Sequence, residues 1–271
     1  MCDICVMNAV KDRMLSRRDL FRGAAATGVA GVAGTAATVA RADNHGSVYD
    51  LTHTLDADFP TFFGEPGFGM AQKFAFEKDG FNLFDLTINE HTGTHIDAPL
   101  HFSENGKAVD EIDVGNLIVP LCVVDIREKA ASDPDAQVTP DDLKAWIEAN
   151  GDIPDRACVA MLSGWSDKVG TEAFRGADGD GVLHFPGFHV EATEMLLAES
   201  SASSIGVDTL SLDHGPSPDF ATHYAWLPSG RYGIECLAGL EQMPAAGGTL
   251  FVGAPKHRGG SGGPARIFGM G

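Results

Sequence analysis

The feature that most constrains this chain is an alternating segment that leads directly into a cluster of histidines. Between residues 81 and 89, the apolar side chains of Phe84, Leu86 and Ile88 alternate with mostly polar ones, which predicts a strand with one buried face. Three histidines and an aspartate follow within eleven residues: His91, His95, Asp97 and His101. Imidazole and carboxylate groups together suit a divalent cation such as Zn²⁺ or Mn²⁺.

The spacing of these residues predicts that a loop, and not a helix, carries the metal ligands. Gly93 lets the backbone turn sharply between the first two histidines, and Pro99 prevents a regular helix from continuing. Thr92 stands where the zincin motif H-E-x-x-H has its glutamate, so that motif is excluded. One histidine near a strand end is usually structural, but three with an aspartate at this density favour a metal site.

The rest of the chain predicts a mixed α/β fold that forms one domain after processing. Thr139 as a cap, Pro140 in the first turn and Gly151 as a stop predict one helix, and a second helix is predicted over residues 190–199. Strands are predicted at residues 49–55, 119–126, 157–162, 204–207 and 249–252. Helices and strands alternate imperfectly, which favours α/β over all-β.

The first 42 residues predict a targeting segment. The pair Arg17 and Arg18 precedes an uncharged stretch at 23–40, and Ala40-Arg41-Ala42 provides the small residues of a signal-peptidase site. The arginine pair resembles a twin-arginine export signal. We therefore expect cleavage, a periplasmic mature chain of residues 43–271 and no stable membrane association after processing. A retained anchor is the alternative, but the stretch contains no Leu, Ile or Phe.

The charge of the mature chain excludes some classes of partner. After removal of residues 1–42, 13 basic and 35 acidic residues remain, which gives a formal net charge of −22. Such a surface repels phosphate backbones, so nucleic acid is not an expected partner, and docking on anionic lipid has no support. The expected partner is a small-molecule substrate.

The five cysteines fall into two groups. Cys2 and Cys5 form a C-x-x-C within the targeting segment, and nothing in the sequence assigns them a role. Cys122, Cys158 and Cys236 remain in the mature chain, and their odd number rules out full intrachain pairing but leaves one disulfide open. Because two of them lie in apolar runs, buried free thiols are favoured.

The segment His91–Phe102 resembles the H-x-G-T-H-x-D-x-P-x-H signature of the cyclase-like metal-dependent hydrolases, a family that includes bacterial kynurenine formamidase and isatin hydrolase. Softer similarities extend over nearly all of the mature chain, at residues 49–52, 163–165, 206–213 and 259–266. The resemblance implies a swivelling β/β/α fold, in which a single α/β domain contains a mixed sheet with flanking helices. It also implies a homodimer or homotetramer.

The resemblance implies a role for each matching residue. The metal ligands would be His91, His95 and Asp97 for one ion, and Asp97, His223 and Glu235 for a second. His101 would be the catalytic acid/base. Formamidases of the family bind two ions, whereas isatin hydrolases differ at the position of Glu235 and use one, so Glu235 favours two ions of Zn²⁺ or Mn²⁺. A loop histidine and a helix-face glutamate are the structural alternatives for His223 and Glu235.

These residues favour metal-dependent hydrolysis of an amide, formamide or lactam bond, which is a C–N bond other than a peptide bond. A divalent ion lowers the pKa of bound water to about 7, and His101 would carry the proton to the leaving nitrogen. Phe62 and Trp165 are candidate pocket walls for a flat aromatic substrate, with core packing as the alternative. Lactone hydrolysis, a metal-assisted lyase reaction and a periplasmic metal- or solute-binding protein without turnover stay open.

Overall fold

The computed structural model describes residues 46–271. The predicted export signal at residues 1–42, with Cys2 and Cys5, lies outside the described residues. Within residues 46–271, no helix combines the length and the apolar composition that crossing a membrane requires.

Thirteen strands and five α-helices make up the described part of the chain. The strands are β1 (Val48–Asp50), β2 (Phe68–Phe74), β3 (Leu83–Ile88), β4 (His95–Asp97), β5 (Ile118–Asp125), β6 (Gln137–Val138), β7 (Cys158–Leu162), β8 (Gly187–Phe188), β9 (Ser204–Val207), β10 (Tyr232–Glu235), β11 (Gly248–Gly253), β12 (Gly262–Pro264) and β13 (Arg266–Met270). The helices are α1 (Phe76–Asp79), α2 (Arg127–Ser132), α3 (Pro140–Asn150), α4 (Val190–Glu199) and α5 (Ala221–Trp226).

Nine of the strands form one mixed sheet in the order β1-β13-β11-β5-β7-β9-β10-β4-β12. Its centre, β5-β7-β9-β10, is parallel, and both flanks are antiparallel. Helices connect the parallel strands: α2 and α3 follow β5, α4 follows β7 and α5 follows β9. Parallel neighbours need such crossovers, so the sheet confirms the α/β class and the single mixed sheet with helices predicted from the sequence.

The central strands are buried on both faces, because their alternate side chains enter two different cores. Cys122 and Val124 of β5 pack with α3 and α4, and the indole N–H of Trp146 in α3 donates to the carbonyl of Val123 at 3.0 Å. Leu121 and Val123 point the other way, into a core shared with the antiparallel flank. This two-sided burial explains the continuous apolar run of the sequence.

Most predicted elements are confirmed, with differences at two strands. The helices at α3 and α4 and the strand β9 have the predicted bounds, and Cys122, Cys158 and Cys236 are buried free thiols. The predicted first strand at residues 49–55 is shorter, because it ends at Asp50. The predicted buried face of β3 is wrong, since all six of its residues are exposed.

A buried carboxylate holds the turn that follows β7. Asp208 accepts hydrogen bonds from the backbone N–H groups of Ser163, Gly164 and Trp165 at 2.8–3.1 Å, and from the Ser163 hydroxyl at 2.5 Å. Burial raises the pKa of Asp208 to about 6, although these hydrogen bonds oppose the shift. The carboxylate therefore takes the place of the backbone partners that this turn lacks.

Replacing Asp208 with alanine should lower the free energy of unfolding by about 3 kcal/mol, because three N–H groups lose their acceptor. Asp167→Ala is the matched control, since Asp167 lies exposed in the next turn, and it should change stability by less than about 0.5 kcal/mol. Chemical denaturation followed by tryptophan fluorescence measures both variants. Equal losses in the two would contradict this role for Asp208.

Candidate metal centre

The candidate metal centre lies at the carboxyl ends of the parallel strands, where ligands bind in open α/β sheets. Strand β10 ends at Glu235, and β4 runs antiparallel beside it and begins at His95, so these residues are direct cross-strand partners. His95 and Asp97 are two residues apart in a strand and lie on the same face. The pairing of two strands thus brings three of the predicted ligands together.

Two backbone features shape the loop that carries the histidines. Gly93 has a φ of +65°, in the left-handed region that favours glycine, and a β-carbon there would lie 3.0 Å from Leu55 Cδ1. The Thr94 hydroxyl donates to the carbonyl of Cys236 at 2.6 Å and accepts from the N–H of His53 at 2.9 Å. These bonds tie the loop to the end of β10 and to the segment after β1.

The tautomer of His95 directs a ring nitrogen at two carboxylates. Nδ1 lies 2.9 Å from the carbonyl oxygen of Gly93, which can only accept, so Nδ1 carries a proton. Nε2 lies 3.3 Å from Asp97 Oδ1 and 3.3 Å from Glu235 Oε2. Burial lowers the pKa of His95, but the two carboxylates outweigh it and raise the pKa to about 10. The negative field that holds a proton there also suits a divalent cation.

His223 approaches the same carboxylates from α5. Asp213 accepts from the backbone N–H of His223 at 3.1 Å and lies 2.6 Å from its Nδ1. The ring therefore turns Nε2 towards the centre, 3.2 Å from Glu235 Oε1 and 3.6 Å from Asp97 Oδ2. Burial lowers the pKa of His223, but the surrounding carboxylates raise it well above its usual value. Carboxylate–histidine pairs of this kind orient metal-binding imidazoles.

Asp97 lies at the middle of the cluster and is fully buried. Its Oδ1 lies 2.7 Å from His91 Nδ1, and its Oδ2 faces His223. Burial raises the pKa of Asp97, but the surrounding histidines outweigh it and keep the pKa well below its usual value. An ionised carboxylate with imidazoles on both sides is a donor group that suits a divalent cation.

His101 reaches the cluster through a short 3₁₀ helix, Pro99–Phe102. This helix turns the chain so that His101 stacks on His91, with ring centroids 3.8 Å apart. Burial lowers the pKa of His101 to about 4, so the ring is neutral at neutral pH. Since ligand atoms of His91, Asp97 and His101 lie within 4.8 Å of one another, the geometry is compatible with both a proton carrier and a ligand.

The donor set fits a divalent cation. Two groups of possible ligands share Asp97, and they are His91, Asp97 and His101, and His95, Asp97 and Glu235. Among the residues that the structure describes, the buried atoms His95 Nε2 and Asp97 Oδ2 have no hydrogen-bond partner. Buried polar atoms rarely stay unpaired, and imidazole with carboxylate is the ligand chemistry of Zn²⁺ and Mn²⁺.

Sequence reasoning does not predict the hydrogen-bonded chain behind His91. Nε2 of His91 lies 3.0 Å from the Ser261 hydroxyl, which donates to Glu90 Oε2 at 2.6 Å, and Glu90 Oε1 lies 2.6 Å from His257 Nε2. Because the hydroxyl proton goes to Glu90, the Ser261 oxygen accepts from His91 and leaves its Nδ1 available to a cation. The glycine-rich tail around Ser261 is the only sequence signal, and it lies 170 residues from His91.

A cavity of about 380 Å³ opens over the cluster, a volume that suits a small organic molecule. The predicted site residues that line it are His91, His95, His101, His223 and Glu235. Four phenylalanines form an aromatic wall: Phe62, Phe63, Phe102 and Phe220. Phe62 therefore lines the cavity, which agrees with its prediction as a pocket wall. Trp165 is not among the lining residues, since it is buried in the core and its indole N–H donates to the carbonyl of Phe174 at 2.9 Å.

A mixed sheet with an imidazole–carboxylate centre at the ends of its parallel strands defines an α/β protein with a candidate divalent-metal site. The family model named Cyclase matches residues 49–214, which is more than half of the chain. The chain belongs to the cyclase family.

The curated relatives are hydrolases. The isatin hydrolase of Roseibium aggregatum is 34% identical over 195 residues, which cover 68% of this chain and 73% of the relative. The kynurenine formamidase of Salinibacter ruber is 29% identical over 191 residues, which cover 70% of this chain and 80% of the relative. A structure of isatin hydrolase A from Labrenzia aggregata bound to benzyl benzoate aligns with a TM-score of 0.78 at 34% identity, covering 83% of this chain and 93% of that one. The family and fold predicted from the sequence are confirmed.

Proposed function

We propose that the protein is a metal-dependent hydrolase that cleaves an amide, formamide or lactam bond in a small aromatic molecule. The observation that carries the proposal is the pair of buried atoms without hydrogen-bond partners, His95 Nε2 and Asp97 Oδ2, in neighbouring side chains of which His95 lines an aromatic cavity. The relatives support the bond type, because isatin contains a cyclic amide and the substrate of a kynurenine formamidase is a formamide.

The chain supplies the groups that such a reaction needs beside a cation. A bound Zn²⁺ or Mn²⁺ lowers the pKa of water and polarises a carbonyl group. His101 lines the cavity as a neutral imidazole, so it accepts a proton at one stage and returns it to the leaving nitrogen at another. Phe62 and Phe220, with ring centroids 5.8 Å apart, offer a wall for a flat ring and exclude water.

The contacts of Glu235 favour two cations over one. Its Oε2 lies 3.3 Å from His95 Nε2, and its Oε1 lies 3.2 Å from His223 Nε2, so each oxygen faces a different imidazole. Asp97 divides its two oxygens between the same two histidines, with Oδ1 towards His95 and Oδ2 towards His223. Two carboxylates that each span two imidazoles suit a pair of neighbouring ions.

Replacing Glu235 with glutamine is therefore expected to lower the bound Zn²⁺ or Mn²⁺ from two equivalents to one, as measured by elemental analysis of the purified protein. The amide oxygen keeps the hydrogen bond that Glu235 Oε1 accepts from the N–H of Leu212 at 3.0 Å, so the fold should persist. Glu241→Gln, at an exposed position, is the matched control and should leave both equivalents. A wild-type protein with one equivalent, or two in Glu235→Gln, contradicts the two-ion proposal.

The substrate class is tested with the purified protein reconstituted with Zn²⁺ or Mn²⁺. We expect hydrolysis of at least one compound in a panel of N-formylkynurenine, isatin and simple aryl formamides, and incorporation of ¹⁸O from labelled water into the product. Turnover of lactones alone would support the neighbouring reaction in the same site, and a product without ¹⁸O would indicate a lyase. If the loaded protein left the whole panel and a set of lactones unchanged, the proposal of a hydrolase would be refuted.

A further inference from the structure

Three residues other than glycine have a backbone in the left-handed region, within the described residues 46–271. They are Arg156 with a φ of +58°, Phe220 with +53° and Cys236 with +54°. This region is unfavourable for a residue with a β-carbon, and such residues cluster at functional sites. Arg156 is exposed and does not line the cavity, whereas Phe220 and Cys236 both line it. Two of the three strained residues therefore belong to the wall of the candidate active site.

Phe220 departs from two rules for the start of a helix. It is the N-cap of α5, a position that favours Ser, Thr, Asp or Asn with an extended backbone. Its side chain has no hydrogen-bond acceptor, and its backbone is left-handed. Asp213 supplies the missing acceptor, since it accepts from the N–H of Thr222 at 2.8 Å and from that of His223 at 3.1 Å. Helix α5 thus begins without any capping contribution from the side chain of Phe220.

The aromatic neighbours of Phe220 are all residues of the cavity wall. The centroid of its ring lies 5.8 Å from that of Phe62, 5.7 Å from that of Phe102 and 5.8 Å from that of His223. The ring meets the imidazole of His223 edge to face, at an interplanar angle of 87°. Phe220 is only half-buried. A flat group that stacks on it would lie beside a candidate metal ligand.

We infer that Phe220 determines the preference of the cavity for flat aromatic substrates, and that its left-handed backbone is retained because it places this ring in the cavity wall. A planar ring stacks on another planar ring with a favourable interaction that a puckered aliphatic ring lacks. Residues that break local sequence rules are expected at functional sites. The inference rests on the proposed function, because it assigns the aromatic preference of that site to one residue.

Two metal-binding probes test the role of the ring. Benzohydroxamate and cyclohexanecarbohydroxamate carry the same chelating group and differ in whether their six-membered ring is flat. Calorimetric titration of the Zn²⁺-reconstituted protein should show tighter binding of benzohydroxamate. Phe220→Leu keeps an apolar side chain but loses the flat ring, so the ratio of the two affinities should fall about 3- to 10-fold. Phe220→Tyr keeps the ring and should keep the ratio.

A second pair of variants tests the backbone strain separately. Phe220→Gly and Phe220→Ala both remove the ring, but only alanine keeps a β-carbon in the left-handed conformation. The two variants should lose the affinity ratio equally, and Phe220→Gly should melt about 2–4 °C higher than Phe220→Ala. Arg156→Gly and Arg156→Ala are the matched control, because they change a strained residue away from the cavity. They should show the same difference in melting temperature and the wild-type affinity ratio.

The outcomes separate this inference from the hydrolase proposal. Far-ultraviolet circular dichroism shows whether each variant is folded. A wild-type protein that binds neither probe or both equally, or Phe220→Leu with the wild-type ratio, overturns the role of the ring. Equal melting temperatures for Phe220→Gly and Phe220→Ala overturn the role of the strain. Since binding is measured without turnover, a protein that selects benzohydroxamate through Phe220 but hydrolyses nothing would contradict only the proposed hydrolase activity.

Discussion

Replacing Asp97 with asparagine should abolish the binding of divalent metal ions and reduce the rate of turnover at least about 10³-fold. The side chain is fully buried, and the two carboxylate oxygens lie 2.7 Å from His91 Nδ1 and 3.6 Å from His223 Nε2. Asparagine has nearly the same size but removes the negative charge and puts an N–H₂ group where one oxygen is. That group would point at an imidazole nitrogen or at a cation, so the centre loses both its charge and one ligand atom.

A second Asp–His pair of the same chain provides the control for Asp97→Asn. Asp135 lies 2.8 Å from His184 Nδ1 in a half-buried pair away from the cavity. Asp135→Asn should keep the metal content and the turnover of the wild type, as measured by elemental analysis and a continuous hydrolysis assay. Full metal content in Asp97→Asn would mean that the ligands have been assigned wrongly, and equal losses in both variants would indicate a general folding defect.

Replacing His101 with alanine should lower turnover on the order of 10² to 10⁴-fold while the metal content persists. The ring stacks on His91 and lines the cavity, so it would place a proton acceptor beside a substrate carbonyl bound over the cluster of imidazoles and carboxylates. A proton carrier is needed for the departure of the nitrogen but not for binding of the ion. The separation of these two readouts distinguishes a hydrolase from a protein that only binds metal or solute, in which His101→Ala would affect affinity alone.

The control for His101→Ala is His184→Ala, which removes a half-buried imidazole that does not line the cavity and should leave turnover unchanged. Added imidazole gives a further test, because a small base that enters the vacated space should restore part of the turnover of His101→Ala. A loss of metal in His101→Ala equal to that in Asp97→Asn would contradict the acid/base role. His101 would then be a ligand, which its distance from His91 and Asp97 also allows.

The sequence predicts the elements whose determinants are local. Helix α4 and strand β9 have the predicted bounds, and α3 begins at the proline that follows the predicted cap. The density of histidines in the segment 91–101 is also a local signal. These features depend on neighbouring residues, so one sequence is enough to predict them.

The parts of the site that the sequence does not reveal depend on long-range contacts. Asp213 orients His223 from ten residues away, and Ser261 contacts His91 from 170 residues away, through groups that resemble ordinary loop residues in the sequence. Trp165 is another case, because a tryptophan after a strand end serves equally well as a pocket wall or in the core. The exposed face of β3 differs from its prediction, because periodicity indicates where apolar residues lie but not whether anything covers them.

Strand β4 consists of three residues and is held on both sides, by β10 and by β12. A slip of one residue in either ladder would turn His95 and Asp97 to the opposite face and put Ile96 in their place. Insertions or deletions in this strand are therefore incompatible with the cation chemistry, whereas the loop 60–67 at the cavity rim has no such ladder to preserve. We therefore expect proteins that share this fold to differ in substrate through changes in the loop 60–67, while the residues of β4 stay the same.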